Sequence, residues 1–345
     1  MLGRIPSLLD FDENESMDPL IIINKYGSYA AYLQKYEKDC GFAFDDGQLE
    51  MLKFLSQRLA TGKRREDLSV LKRLVDGSLR EDAIEAAVSV ETSGLDCVAA
   101  RRALSAQRML LGDFSTRGVA LLRKTADGLA LSKGFANALQ NEDFRKQVLD
   151  AIEFGLARNE RLYSETYKDT DLVLYAKYTR EEISRLLCWK EEPNYQNIGG
   201  YFYDKDTNTF PVFINYDKDA SKLSVTTLYE DRFVSDKELI AISKSNRTSK
   251  SPEIERLKNA KANGMRCYLF IRKNLEDKDN STEFYFLGEM HPTGYFSEFV
   301  MKGSTKSAVE IGYWLENPVR PDLYDYFLSD LDEEAEADAA GIAAN

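Results

Sequence analysis

Two textures of hydrophobic spacing divide the chain. From about 17 to 165 the apolar residues recur at helical intervals. Leu20, Ile23, Tyr26 and Ala30 make one stripe; Leu49, Leu52, Phe54, Leu55 and Leu59 a second; Leu68, Leu71, Leu74 and Val75 a third. Ala83, Ile84, Ala87 and Val88 form a fourth, and Val98, Leu104, Met109 and Leu110 a fifth, with Gly47, Gly62, Gly77, Gly94 and Gly112 between them. Stripes of this length broken by glycine predict an all-helical domain of short helices over 17–165. Residues 1–16 predict an extended lead-in: Pro6 and the acids between Asp10 and Glu15 oppose a regular element, and Ile5, Leu8, Leu9 and Phe11 would want a partner surface. Asp18-Pro19 marks a helix start.

Inside the helical region, helices over 66–75, 79–89 and 95–110 precede two short apolar runs joined by Asp127-Gly128. Asp-Gly between such runs signals a hairpin. Three helices and a hairpin are the order of a winged helix, with Arg101, Arg102 and Arg108 on the third, recognition-type helix. The same order also suits a spacer that uses the shape for packing alone. A longer amphipathic helix with Phe144, Val148, Ile152, Phe154 and Leu156 closes the region.

The texture changes between Ser164 and Asp171. Thr179-Arg180-Glu181-Glu182 reads as a capping box for a helix ending near Trp189. Aromatic and β-branched residues then alternate with polar ones, predicting strands at 199–203, 210–216, 222–228, 265–273, 283–289, 296–301 and 308–315. The fold class expected is α+β, with the helical domain followed over 171–328 by a β-rich curled sheet or small barrel. An acidic run from Asp330 to Asp338 predicts a disordered tail over 329–345.

Charge sharpens this picture. The chain carries a formal net charge of −12, yet residues 243–273 hold nine Lys or Arg against Glu253 and Glu255. A basic stretch flanked by aromatic strands is the footprint of a polyanion site, because binding follows the patch presented rather than the global sum. Ser243-Lys244-Ser245-Asn246-Arg247-Thr248 adds hydroxyl, amide and guanidinium donors suited to phosphates and base edges. A solvated loop and an ordinary charged helix would carry the same letters. Cysteines 40, 97, 188 and 267 are too scattered for a metal site and read as reduced thiols of a cytoplasmic protein. No apolar run is long enough for a membrane span or a signal peptide.

The order of several short motifs carries a resemblance. These are Leu174-Tyr175-Ala176-Lys177-Tyr178 running into Thr179-Arg180-Glu181-Glu182-Ile183, then Tyr229-Glu230-Asp231, then the Ser243–Thr248 loop. Leu269-Phe270-Ile271-Arg272-Lys273, Phe286-Leu287-Gly288-Glu289 and Trp314-Leu315-Glu316-Asn317-Pro318 complete the set. Together they resemble the C-terminal region that follows the helicase core in bacterial proteins with a phospholipase-D-type nuclease, including modification-dependent (type IV) restriction enzymes of the SauUSI type. The resemblance implies a helical coupler joined to an SRA/PUA-like domain that reads modified cytosine in double-stranded DNA. It also implies upstream helicase and nuclease domains, which would bind the ATP and magnesium that this chain has no motif for. One position departs: where the family carries an aromatic before the Ser-x-Ser-Asn element, this chain has Ala241-Ile242.

Reading a modified base in a duplex requires extruding it and holding it by stacking and edge hydrogen bonds. On that premise the base-binding candidates are Phe213, Tyr216, Tyr229, Phe233, Ser243, Ser245, Asn246 and Thr248, with Tyr229 foremost among the rings. The phosphate-binding candidates are Lys244, Arg247, Lys250, Arg272 and Lys273. The alternative is a coupling module whose basic patch docks on an acidic protein surface. No Gly-rich phosphate loop, DExH motif or HxK nuclease constellation is present, and the single histidine, His291, lacks that spacing. The chain is therefore expected to be non-catalytic, without metal or cofactor of its own.

Overall fold

The computed structural model describes residues 5–13, 17–37, 41–77, 97–126, 128–194, 200–216, 231–273, 282–301 and 304–329. The expected helix at 79–89, the strand at 222–228, Asp127, Tyr229 and the acidic tail beyond 329 lie outside them. The chain divides into two units, Met1–Val173 with Ser184–Glu192, and Leu174–Ile183 with Pro193–Asn345. Helices come first and a sheet follows.

The first unit contains α1 (Leu8–Glu13), α2 (Leu20–Tyr26), α3 (Tyr29–Tyr36), α4 (Asp46–Phe54) and α5 (Arg65–Val75), with a wider π turn over Leu55–Leu59 after α4. Then come α6 (Cys97–Leu111), the antiparallel pair β1 (Leu122–Thr125) and β2 (Gly128–Leu131), α7 (Lys133–Ala138) and α8 (Glu142–Leu162). Side chains placed before the helices satisfy their first amides: Ser28, Ser132 and Asn141 accept backbone N–H bonds, and Asp45 with Gln48 forms a full capping box. The apolar stripes meet in one core built from Ile23, Leu33, Leu52, Leu59, Leu68, Leu71, Phe144, Ile152 and Phe154. Two glycines let backbone segments touch. A Cβ on Gly62, which has φ +77°, would stand 2.6 Å from the Gly155 carbonyl oxygen.

A polar network is buried in the same unit. Arg64 donates from Nε and Nη2 to the two Asp67 carboxylate oxygens at 3.1 and 2.9 Å and from Nη1 to Ser105 at 2.8 Å. Arg185 also donates to Asp67, and Arg102 Nε faces Asp171 at 2.7 Å. α5, α6 and the β1–β2 pair follow one another as a winged helix would, but Arg101 and Arg102 point to Asp169 and Asp171. These two arginines are thus ion-pair residues of the helical unit.

The second unit begins with β3 (Lys177–Thr179), which runs into α9 (Arg180–Leu186), whose residues from Ser184 on belong to the first unit. The capping box is formed: Thr179 N–H donates to Glu182 at 2.8 Å, and Glu182 N–H donates to Thr179 Oγ1 at 3.2 Å. Next come β4 (Thr209–Asn215), β5 (Arg232–Ser235), β6 (Glu238–Ile242), α10 (Pro252–Lys258), β7 (Arg266–Arg272), β8 (Glu283–Val300) and β9 (Ser307–Leu315). A last helix, α11, covers 321–329. The sheet order is β4-β7-β8-β9-β6-β5, with β3 paired to β8. β4 and β7 are parallel and the other described pairs antiparallel. Among the described residues the sheet stays open between β4 and β5, so the small barrel is not formed. The strands expected at 283–289 and 296–301 are one strand, β8, bent by a register shift between Pro292 and Phe296.

One face of this sheet carries Leu239, Ala241, Leu269, Ile271, Val309, Ile311 and Tyr313, packed with Ile254 and Leu257 of α10 and Leu323 and Phe327 of α11. On the other face, over β4, β7 and β8, Phe213, Phe270 and Phe286 stack in a row at 5.4 and 5.1 Å. Cys267 is buried, which pushes its thiol up to about 12. No described helix is long and apolar enough to cross a membrane.

Candidate functional site

β6 ends at Ile242, and the loop that follows runs beside the ends of β8 and β9. Ser243 continues the ladder, its N–H donating to Val309 O and its Oγ accepting the Val309 N–H, both at 2.9 Å. Arg247 N–H donates to Ser307 O, and Ser249 N–H to a Glu298 carboxylate oxygen at 2.8 Å. Ser251 then precedes α10, whose first residue is Pro252. The loop is therefore pinned to two strands and a helix.

Cations line this segment over aromatic rings. The Lys244 ammonium stands 4.6 Å from the Tyr201 ring centre, and the Arg256 guanidinium 4.0 Å from that of Tyr203. Partial burial, helped by the charge of Arg247, holds Lys244 below its ordinary pKa. Arg247 donates to Glu253, whose same oxygen accepts the Tyr201 hydroxyl at 3.3 Å. Lys258 pairs with Glu255 at 2.7 Å. Lys250 and Lys261 are exposed. Part of the sequence's positive charge is thus spent on internal acids, and the outward field comes mainly from Lys244, Lys250, Arg256 and Lys261.

A cleft of about 270 Å³ opens on the adjoining stretch of the same strands, lined by Val234, Glu238, Ile240, Thr293, Tyr295 and Gly312 with the backbone neighbours Leu239 and Tyr313. Its floor follows from register: Ile240 pairs with Gly312, and two residues along Ile242 pairs with Glu310. Above Gly312 the Pro292–Phe296 bulge folds over the sheet. A Cβ at 312 would meet Thr293 Oγ1 at 2.6 Å and Tyr295 Cβ at 3.1 Å, so glycine is what lets the bulge lie there. Tyr295 donates its hydroxyl to Glu310 at 2.9 Å, and Arg232 donates to the other carboxylate oxygen at 2.9 Å. The rim carries exposed apolar surface, with Val234 56 %, Tyr295 46 % and Trp314 42 % accessible. His291 stacks on Trp314, its cross-strand partner, with ring centres 5.9 Å apart.

Of the described rings proposed to stack a base, Phe213 and Tyr216 are buried and Phe233 is half-buried. Phe213 is buried against Phe270 and Phe284, with the Arg180 guanidinium 5.1 Å from its ring centre. Tyr216 is buried and its hydroxyl accepts the Phe233 N–H at 3.2 Å. Phe233 packs between Tyr216 and Tyr324 at 5.3 and 5.4 Å. Ser243 is a ladder residue rather than a free donor. Ser245 and Asn246 are exposed, Asn246 in the left-handed region at φ +60°, while Thr248 Oγ1 accepts the Lys250 N–H at 3.3 Å.

The phosphate candidates separate into two places. Lys244, Arg247 and Lys250 sit beside the second half of β8. Arg272 bonds Asn215 at 2.6 Å and lies 4.5 Å from the Phe284 ring centre, at the start of β8, and Lys273 lies over Tyr326. The basic stretch of sequence is not one patch. Thr293, Tyr295, Glu238 and Gly312 escaped the sequence reading; the signal available was Pro292 and Gly294 inside an aromatic strand, which marks a bulge. Among the described residues no His, Cys, Asp and Glu group has the arrangement of a metal site.

Residues 172–327 match a family model described as a domain of unknown function (DUF3427), and residues 1–164 one described as a domain of unknown function (DUF8090). No curated protein matches the chain. A solved structure titled "DNA recognition domain of the cytosine modification-dependent restriction endonuclease LpnPI" is similar at 12% identity and a TM-score of 0.30, over 42% of this chain and 74% of that one. At that score the two share no demonstrated fold.

Proposed function

We propose that the C-terminal unit binds duplex DNA along the basic surface from Lys244 to Lys261 and seats one extruded, modified cytosine in the cleft over Gly312. The observation that carries this is that both features are built on β6 and β9: the basic loop leaves β6 at Ser243, which pairs with Val309, three residues beyond the Ile240–Gly312 pair under the cleft, although α10 packs on the opposite face of the sheet. A backbone held by Lys244, Lys250, Arg256 and Lys261 would pass beside a cavity smaller than the roughly 300 Å³ at which pockets for drug-sized ligands begin. A single heterocycle is the scale that suits it.

The chemistry of the lining supports a pyrimidine with an exocyclic amine. Glu238 offers a carboxylate to a cytosine N4 amine. Tyr295 offers a ring face for stacking, and Val234 and Ile240 offer apolar contact to a methyl group at C5. Extrusion costs a few kcal/mol of stacking and pairing, which these contacts and the phosphate contacts must offset. The motif order that resembles helicase-linked restriction enzymes supports reading this chain as the non-catalytic recognition part of such a protein, with ATP and magnesium bound by other domains.

Titration of a labelled duplex with the whole chain tests the reading. Binding that weakens steeply with salt is expected, since each neutralised phosphate releases counterions. A duplex that fails to bind even at low salt would contradict it and leave a protein-coupling module as the better account.

A further inference from the structure

A second surface of aromatic rings and cations lies on the helical unit. α2 and α3 bring together Tyr26, Tyr32 and Tyr36, with ring centres 5.3 Å apart for Tyr26–Tyr32 and Tyr32–Tyr36 and 5.6 Å for Tyr26–Tyr36. Tyr36 is 50 % accessible and Ile21, on the same pair of helices, 58 %. Tyr26 and Tyr32 are half-buried against the helical core, and Tyr36 is the ring left at the surface. Tyr29 is the inward member of the group: it is buried, donates its hydroxyl to the Pro6 carbonyl at 2.8 Å and stacks on Tyr32 at 6.1 Å, so the outer rings stand on a fixed base.

Lysines flank the rings. Lys35 Nζ lies 5.8 Å from the Tyr26 ring centre and 5.2 Å from that of Tyr36, and Lys25 Nζ 5.4 Å from that of Tyr26. The Lys53 stem lies against Gly27, 3.2 Å from where a Cβ there would be. Glu37 is the acid next in sequence to Tyr36. One exposed ring, backed by two half-buried ones and flanked by ammonium groups, matches a chain that alternates flat bases with phosphates. A duplex keeps its base faces stacked and could use only the lysines, whereas a single strand offers both partners.

We propose that the Tyr26–Tyr32–Tyr36 surface with Lys25, Lys35 and Lys53 binds single-stranded nucleic acid, one base stacking on the exposed face of Tyr36. This goes beyond the duplex reading of the C-terminal unit and does not depend on it.

The test is fluorescence anisotropy of the full chain with labelled oligo(dT), in the parent, Tyr36→Ala and Tyr36→Phe, beside a duplex titration of the same proteins. Tyr36→Ala is expected to weaken oligo(dT) at least about fivefold, the lower end of ring–base stacking. Tyr36→Phe should restore it, and duplex affinity should not change in either. Equal oligo(dT) affinity in all three proteins would overturn the proposal. So would loss of oligo(dT) binding in Lys250→Glu/Lys261→Glu with none in Tyr36→Ala, which would place the strand on the C-terminal unit. Displacement by polyglutamate as effective as by unlabelled oligo(dT) would show a surface that reads charge alone, and would also overturn it. Loss of duplex binding in the parent, with oligo(dT) binding intact, would count against the C-terminal reading only.

Discussion

Tyr295 lies over Gly312: its Cβ is 3.1 Å from where a Cβ at 312 would stand, and its hydroxyl reaches across to Glu310 at 2.9 Å. This one cross-strand relationship shapes the cleft, since it holds the β8 bulge above β9 and turns an aromatic ring toward open space.

Tyr295→Phe keeps the ring and removes the bond to Glu310. We expect a stability loss of about 1 kcal/mol, the usual worth of one partly exposed hydrogen bond, with affinity for modified duplex largely kept. Tyr295→Ala removes the stacking face and should lower that affinity about fivefold or more. Urea midpoints and duplex titrations on the two variants check both parts; equal affinity in parent and Tyr295→Ala would remove the ring from the account.

Lys250 and Lys261 test the phosphate contacts. Each is exposed, so Lys250→Gln and Lys261→Gln should fold as the parent does and weaken duplexes of every sequence alike. The slope of log Kobs against log salt should fall by about 1 for each lysine replaced. An unchanged slope in the double variant would mean that the DNA passes elsewhere.

In the helical unit, Arg64 is fully buried and forks onto Asp67. Arg64→Met leaves the Asp67 carboxylate short of its main partner, and breaking such a buried pair costs about 3 kcal/mol or more. Arg64→Lys should not rescue, because an ammonium cannot supply the fork. Urea denaturation of the two variants measures this. A midpoint within error of the parent would show that Arg185 alone suffices for Asp67.

Asp171 gives a pH signature. Burial, working against the pull of Arg64 and Arg102, pushes its carboxyl from an ordinary 3.8 up to about 6. Between those two values the unfolded chain has released the proton that the folded chain still holds. Stability therefore falls as pH rises through this window and is flat above it, by about 3 kcal/mol at 1.36 kcal/mol per unit. The difference in urea stability between Asp171→Asn and the parent should thus grow in the variant's favour from pH 4 to pH 6. A difference independent of pH would mean that Asp171 titrates as an ordinary carboxylate.

What the sequence made legible were the elements that local pattern decides. The helical stripes of Leu52, Leu59, Leu68, Leu71 and Phe144 do form one core, and the apolar runs Phe210–Ile214 and Cys267–Ile271 are strands. The surroundings of the rings were not legible for a related reason. β4 and β7 run parallel and are buried on both faces, so Phe213 had no solvent side to turn to. β5 and β6 were missed because Asp231, Arg232, Asp236 and Glu238 break up short runs. The cleft was out of reach altogether: it depends on Gly312 of β9 standing under the bulge of β8, and pairing register between separate strands is not written in either strand alone. Charge was legible as a count, but the pairing of Arg247 with Glu253 was not.

The measurement closest to the central claim compares duplexes with and without 5-methylcytosine, in the parent and in Gly312→Val. Valine at 312 fills the cleft floor and meets Thr293 and Tyr295, while Lys244, Lys250 and Lys261 keep their places. The parent should prefer the methylated duplex at every salt concentration, and Gly312→Val should lose that preference while keeping the salt-dependent binding common to both duplexes. A Gly312→Val protein that folds like the parent and still prefers the methylated duplex would contradict the account, because the base would then be read somewhere other than the cleft.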